Sequence, residues 1–246
     1  MQPFVARPEH GAVWITGASS GIGRALALKL AGEGYKVAVT ARSHEKLVEL
    51  QAEASGLPGS IIVLDGDVTH AEDMDNTVAA IEYQHGTLAM AILNAGIFLP
   101  SRAEELSLEV FDRSFAVNLQ GVVNCLVPAV RHMRARGHGQ IAVVSSLAGF
   151  SGMPRGAAYG ASKAALITMA ESLQFDLEQT GIRVQLITPG FVDTPLTKNN
   201  KFPMPGLMSA EAAADAIAAG LKSSSFEIAF PKSLVLKAKL LKLMPY

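Results

Sequence analysis

The sequence predicts an α/β protein: a doubly wound, seven-stranded parallel sheet covered by helices on both faces, in three layers. Three observations carry this expectation. Short β-branched runs alternate with longer helical patterns along the whole chain. The runs are nearly continuous apolar stretches, as strands buried on both faces require. The 246 residues show no internal repeat, low-complexity tract or linker, which suits one large domain.

In order, the strand runs are residues 12–16, 36–40, 61–64, 88–93, 141–144, 183–188 and 226–229. The first is followed by a glycine-rich turn that opens the helix expected at 22–33. Further helices are expected at 45–54, 72–85, 108–136, 157–180 and 210–221. Ser43 can cap the second of these. The stretch 108–136 is long, and Pro128 within it should bend or break it.

Composition narrows the function classes. Hydrophobic residues make up 49% of the chain and charged ones 17%, which points to a shared interface or a greasy pocket. A net charge of −1 argues against a nucleic-acid partner. Cys125 is the only cysteine, so no disulfide framework or cysteine-based metal site is expected. No His-Glu-x-x-His occurs and the histidines are scattered, so no metal is expected either. Met1 to His10 lacks the charged and apolar parts of a signal peptide, and no apolar run reaches membrane-spanning length. The expectation is a reduced, soluble, cytoplasmic protein.

Two stretches carry chemistry. In the first turn, Gly17, Ser19, Ser20, Gly21, Ile22 and Gly23 follow a strand and open a helix. Glycines there let main-chain N–H groups approach a pyrophosphate at the helix N-terminus. The same letters match Gly-x-Ser-x-Gly, a nucleophile elbow, which would make Ser19 a hydrolase nucleophile. That alternative needs several preceding strands where only one stands, and it lacks a histidine beyond His138 and an oxyanion turn. The second stretch is Tyr159-Gly160-Ala161-Ser162-Lys163, inside a helical pattern. Side chains four apart share a helix face, so the phenol and the ammonium point into one volume. A lysine there favours the phenolate and makes Tyr159 a general acid/base near neutral pH. A ligand-free turn and a solvated helix face remain the alternatives for the two stretches.

Taken together and in order, the motifs resemble those of the short-chain dehydrogenase/reductase family, with its single-domain Rossmann fold, over nearly the whole chain. The glycine motif matches Thr16 through Gly23, and the family's Asn-Asn-Ala-Gly appears as Leu93-Asn94-Ala95-Gly96, lacking the first Asn. Asp67 and Val68 match the aspartate after the third strand, Asn118 the family asparagine, and Pro189, Gly190, Val192 and Thr194 the stretch after the sixth strand. The family serine stands thirteen residues before the tyrosine, which selects Ser146 over Ser145. The resemblance implies strand order 3-2-1-4-5-6-7 and an oxidoreductase with Asn118, Ser146, Tyr159 and Lys163 as its catalytic set. Ser146 would stabilise charge on the substrate oxygen and Tyr159 would move the proton. Lys163 would hold the nicotinamide ribose, and Asn118 would order a water. A dinucleotide would be held by Gly17 to Gly23, Asp67, Val68, Asn94, Ala95, Gly96 and Pro189 to Thr194, along with Tyr159 and Lys163.

At the second strand's end the resemblance places Ala41 where NAD enzymes carry an acid, and Arg42 and Ser43 follow. This favours NADPH over NADH. Phe98, Ser146, Phe150, Met153, Phe191 and Leu196 would line an apolar substrate pocket, with residues 190–208 as a partly mobile lid. Arg102 and Arg155 are the basic candidates for holding an anion. An apolar ketone, aldehyde or secondary alcohol is the expected substrate; an NADP(H)-binding sensor without chemistry is the alternative. In the tail, residues 232–246, Leu236, Leu240 and Leu243 form one stripe and Leu234, Ala238 and Leu241 another. Such a helix is expected to be buried against two bodies: its own domain plus a partner in a homodimer or homotetramer, or a bilayer surface.

Overall fold

Seven strands form one sheet in the order β3-β2-β1-β4-β5-β6-β7, the order that the family resemblance implies. The computed structural model describes residues 3–198, 200 and 202–242. β1 (Ala12–Thr16) lies between β2 (Lys36–Thr40) and β4 (Leu88–Leu93), with Val13 opposite Val37 and Met90. β3 (Ser60–Val63) edges one side; β5 (Gly139–Val144), β6 (Ile182–Pro189) and β7 (Glu227–Phe230) extend the other. Every pairing is parallel, so each connection crosses a face of the sheet, and helices make the crossings.

Successive residues of a strand point to opposite faces, which splits the core in two. Val13 and Ile15 pack under α1 (Gly21–Gly32), α2 (His44–Glu53) and α7 (Ala210–Lys222). Ala12 and Trp14 pack under α3 (Ala71–Ala80), α5 (Gly121–Arg136) and α6 (Ala157–Leu177). The buried Trp14 indole donates to Thr40 Oγ1 at 2.8 Å, so its one polar group is satisfied.

The helical stretch 108–136 is continuous, and Pro128 does not break it. α4 (Leu108–Phe115) gives way to a wider π-type turn, Ala116–Gln120, before α5 begins; Pro128 sits buried inside α5, which runs on through it. The widened turn buries Asn118 against the chain after β4, and that placement accounts for the bulge. Other boundaries shift by a few residues where end turns loosen or tighten, as at Ile81–His85 and Glu178–Thr180.

From β1 the chain builds outward to β3, then returns to place β4 on β1's other side. The loops after β1 and β4 therefore diverge, and a crevice opens at the carboxyl ends of the strands.

Backbone crowding at α1's end gives a clean stability test. A Cβ on Gly59 would stand 2.1 Å from Tyr35 O and 2.8 Å from Ala31 O, both main-chain atoms that cannot step aside. Gly32, the last residue of α1, has nothing within 4 Å of such a Cβ. Urea denaturation should show Gly59→Ala losing roughly 2 kcal/mol or more. Gly32→Ala should gain up to about 1 kcal/mol.

Candidate active site

The first turn is clamped onto the end of β4. Thr16 Oγ1 accepts the N–H groups of Asn94 at 3.0 Å and Ala95 at 3.1 Å. Asn94 Nδ2 donates back to the carbonyls of Thr16 at 3.0 Å and Gly17 at 3.3 Å. Gly17 has φ +69° and Gly21 φ +55°, conformations that favour glycine. A Cβ on Gly17 would stand 2.7 Å from Ala95 Cα, and one on Gly23 2.6 Å from Asn94 Nδ2. Gly23 thus packs behind the turn, and Gly17, Ser19, Ser20, Gly21 and Ile22 face the crevice.

That crevice is a cavity of about 800 Å³. At one end, α1 and α2 both begin without a side-chain cap, whereas Ser107 and Ser209 cap α4 and α7. Their uncapped N–H groups make this end electropositive. Arg42 and Ser43 line it, and among the described residues the Arg42 guanidinium has no hydrogen bond or ion pair. Burial pushes the Asp67 carboxyl up, but the Thr69 N–H and O–H, helped by Arg42 and His70, hold it below its ordinary range. An open turn, two free helix ends and an unpaired guanidinium fit an anionic dinucleotide.

At the other end stand Ser146, Tyr159 and Lys163. Ser145 Oγ donates to Lys163 O at 2.7 Å, tying β5 to α6 and leaving Ser146 as the serine free to act. Ser146 Oγ accepts the Ala148 N–H at 3.1 Å, so its own proton is available. Lys163 is buried and donates to Val144 O at 2.9 Å; its Nζ lies 5.8 Å from the Tyr159 ring centroid. Phe98 packs edge-on against the Tyr159 ring, centroids 5.2 Å apart.

One electrostatic expectation is corrected. Lys163 does not lower the Tyr159 pKa in this structure: burial raises it, and only the Ser146 hydroxyl, hydrogen-bonding toward the phenol, pulls it back. The ammonium is turned to the Val144 carbonyl and is itself lowered by burial to about 8.

Asn118 lies behind the cavity wall. Its Oδ1 accepts the Ile97 N–H at 2.8 Å, and its Nδ2 donates to Ile97 O at 3.0 Å and Ser162 Oγ at 3.1 Å. Among the described residues it shares no hydrogen bond with Lys163. Asp67, Val68, Asn94, Ala95, Gly96, Pro189, Gly190, Val192 and Thr194 all line the cavity, as do Phe98, Met153, Phe191 and Leu196. Phe150 does not: it turns to a neighbouring depression shared with Arg155, under the Lys239 ammonium. The lid is pinned at its base, where Asp193 N donates to Met208 O at 2.8 Å and Met208 N to Phe191 O at 3.0 Å.

Among the lining residues that sequence reasoning missed are Leu234 and Ala238 of α8 (Lys232–Lys242). Their stripe was visible, but nothing in the sequence said which body it meets. No histidine lines the cavity among the described residues, so Ser19 has no base for hydrolase chemistry. The described residues hold no cluster of metal ligands and no helix long and apolar enough to cross a membrane.

The buried ammonium has a pH signature. Its folded pKa, about 8, lies below the ordinary 10.5, so its burial penalty is full below pH 8 and fades as pH rises to 10.5. Lys163→Met removes this group alone. The stability advantage of that variant over the wild type should shrink by about 3 kcal/mol between pH 7 and 10.5, read by denaturant titration at both ends.

Comparison with known proteins accords with this geometry. The family model for short chain dehydrogenase matches residues 11–203. An uncharacterized oxidoreductase of Myxococcus xanthus is 36% identical over 241 residues, covering 98% of this chain and 95% of that protein. The 3-oxoacyl-[acyl-carrier-protein] reductase FabG of Thermotoga maritima is 36% identical over 184 residues, 75% of each chain. Among solved structures, the alcohol dehydrogenase of the archaeon Thermococcus sibiricus, complexed with 5-hydroxy-NADP, superposes with TM-score 0.81 at 29% identity, over 89% of this chain and 95% of that one. With its parallel sheet, its clamped glycine turn and a match over most of its length, the chain belongs to the short-chain dehydrogenase family of oxidoreductases.

Proposed function

We propose that the protein catalyses reversible hydride transfer between NADP(H) and an apolar ketone, aldehyde or secondary alcohol, with reduction favoured. One observation carries this reading: a single cavity joins the electropositive, glycine-walled end to Ser146, Tyr159 and Lys163. When bound, the nicotinamide supplies the hydride. The chain's own residues do the rest. Ser146, its oxygen already engaged by Ala148 N–H, donates a hydrogen bond to the substrate oxygen and stabilises the charge that grows there, keeping its proton throughout. Tyr159 keeps its proton because burial raises its pKa, and so serves as general acid in the reductive direction. Lys163 contributes the cation beside the ribose site. Asn118 is a positioning residue that holds the Ile97 backbone and, through Ser162, the helix carrying Tyr159.

NADP(H) is preferred on charge. Arg42 faces the cavity with no hydrogen bond or ion pair among the described residues, Ala41 offers no carboxylate, and Asp65 is engaged by His44 Nδ1 at 3.0 Å. The Thermococcus relative's 5-hydroxy-NADP complex supports the same class. The remaining walls, Phe98, Leu99, Met153, Phe191 and Leu196, suit an apolar carbonyl compound. A homo-oligomer is also proposed, with exposed Leu108, Phe115 and Phe175 on the packed pair α4 and α6 as its apolar contact.

Two experiments test this. On a carbonyl panel with NADPH, Tyr159→Phe should lose about 10²–10⁴ in turnover while keeping NADPH binding. A wild type that binds NADPH tightly and reduces no carbonyl would establish the sensor instead. The double change Ala41→Asp/Arg42→Ile should shift preference toward NADH by at least ~1.5 kcal/mol, about tenfold in relative kcat/KM. Equal use of both cofactors by the wild type would show that Arg42 does not read the phosphate.

A further inference from the structure

The two faces of α8 have different surroundings. Leu234 and Ala238 line the cavity, and a Cβ on Gly190 would stand 3.0 Å from Leu234 Cδ2. Lys239 fastens the helix from the side: its ammonium pairs with Glu227 of β7 and lies 5.7 Å from the Phe150 ring centroid. The outer face carries Leu236, 62% exposed, and Leu240, 54% exposed, beside exposed Lys232 and Lys237. From residue 232 to 242 there are four lysines and no acid, in a chain of net charge −1. The chain beside exposed Leu207 packs at the start of α8, since a Cβ on the next residue back, Gly206, would stand 3.0 Å from Pro231 Cγ. The family match ends at residue 203 and so assigns α8 nothing.

We propose that α8 seats the protein on an anionic phospholipid bilayer, with its outer leucines in the acyl boundary and Lys232 and Lys237 at the headgroup phosphates, and that the cavity behind it takes apolar carbonyl compounds from that lipid. Eleven residues make a helix of about 16 Å, far short of the roughly 30 Å hydrocarbon core, so it lies in the surface plane. Lys232 and Lys237 flank the two outer leucines, so the leucines can enter the boundary while the ammoniums at its edges meet anionic headgroups. A second copy is the poorer occupant. A two-fold contact through α8 would set lysines against lysines with no acid on either helix to neutralise them. The inner face makes the same helix a wall of the cavity, so a lipid-dissolved substrate meets the site beside the surface that binds it. The docking stands on α8 alone; only the nature of the cargo rests on the hydride-transfer reading above.

The test uses the full chain and vesicles of phosphatidylcholine with or without phosphatidylglycerol. Wild type should co-sediment with the phosphatidylglycerol vesicles, weakly with phosphatidylcholine alone, and be released by salt. Lys232→Glu/Lys237→Glu and Leu236→Ser/Leu240→Ser should each lower partitioning at least about tenfold. Both pairs face outward, so thermal melts and NADPH reduction of a small water-soluble ketone should match wild type. With a long-chain ketone dissolved in the same vesicles, wild type should outpace both variants about in proportion to binding. The docking is overturned if wild type stays in the supernatant, if the variants bind as well as wild type, or if Leu236→Ser/Leu240→Ser splits a vesicle-free dimer. Equal rates on the vesicle-borne ketone would overturn the cargo claim. Vesicle binding as described, with no carbonyl reduced in any form, would instead sink the hydride-transfer reading and leave the docking intact.

Discussion

The close approach of the turn after β1 to the end of β4 is the constraint on which the rest depends. Thr16 and Asn94 exchange hydrogen bonds across that junction, and Gly17 and Gly23 come too near Ala95 and Asn94 to carry side chains. Because the two strands are neighbours whose onward connections run in opposite directions, locking their ends together fixes the floor of the crevice. It also aims the uncapped start of α1 into the cavity. A larger side chain at either glycine would push the turn away from β4, and the electropositive end would lose its shape before any ligand contact was touched.

Lys163 shows the opposite economy. A buried ammonium with one backbone carbonyl as its partner is an unfavourable arrangement, and its depressed pKa measures that. Nothing in packing requires a cation there, since α6 would bury a methionine as readily. Ser145 strengthens the case by binding the Lys163 carbonyl, which anchors the helix turn carrying the ammonium to the end of β5. Strain of this kind concentrates where a site needs it. Tyr159, half-buried at the cavity wall, keeps its proton, so the pair are arranged as acid and cation rather than as phenolate and ammonium. The simple helix-spacing argument predicted mutual stabilisation of charge; it omitted desolvation, which dominates both groups here.

Much of the fold was legible because its signals are local. Seven apolar runs, a glycine turn and helical periodicity each need only a short window, and all seven strands fall where those windows put them. The helical stretch ending at Arg136 was harder. Pro128 is the loudest breaker in it, yet the helix runs through Pro128 and widens at Ala116–Gln120, where Asn118 reaches Ile97 across the fold. That contact joins residues 21 apart and has no local signature. The site residues were legible as a set through family spacing, whereas Phe150 was assigned to the main cavity on proximity in sequence alone. The loop after Ser146 turns at Leu147–Gly149 and carries the Phe150 ring around to the far side of that wall.

The same division runs through the cavity itself. The family match, residues 11–203, covers both the electropositive end and the Ser146, Tyr159, Lys163 end. The outer wall is different: Leu234 and Ala238 come from a helix placed by β7 and lie beyond that match. The parts that would perform the chemistry are thus built on the buried ends of central strands, where every displacement is resisted by two layers of core. The part that meets the distal end of a substrate is a single surface helix, held to the body by Lys239 and a few apolar contacts. A helix so attached can change its inner residues without disturbing the sheet, and its outer ones without disturbing the cavity. That separation explains how a tail with two apolar stripes fits a folded protein: one stripe closes the site, and the other is free to answer to whatever surface the protein meets.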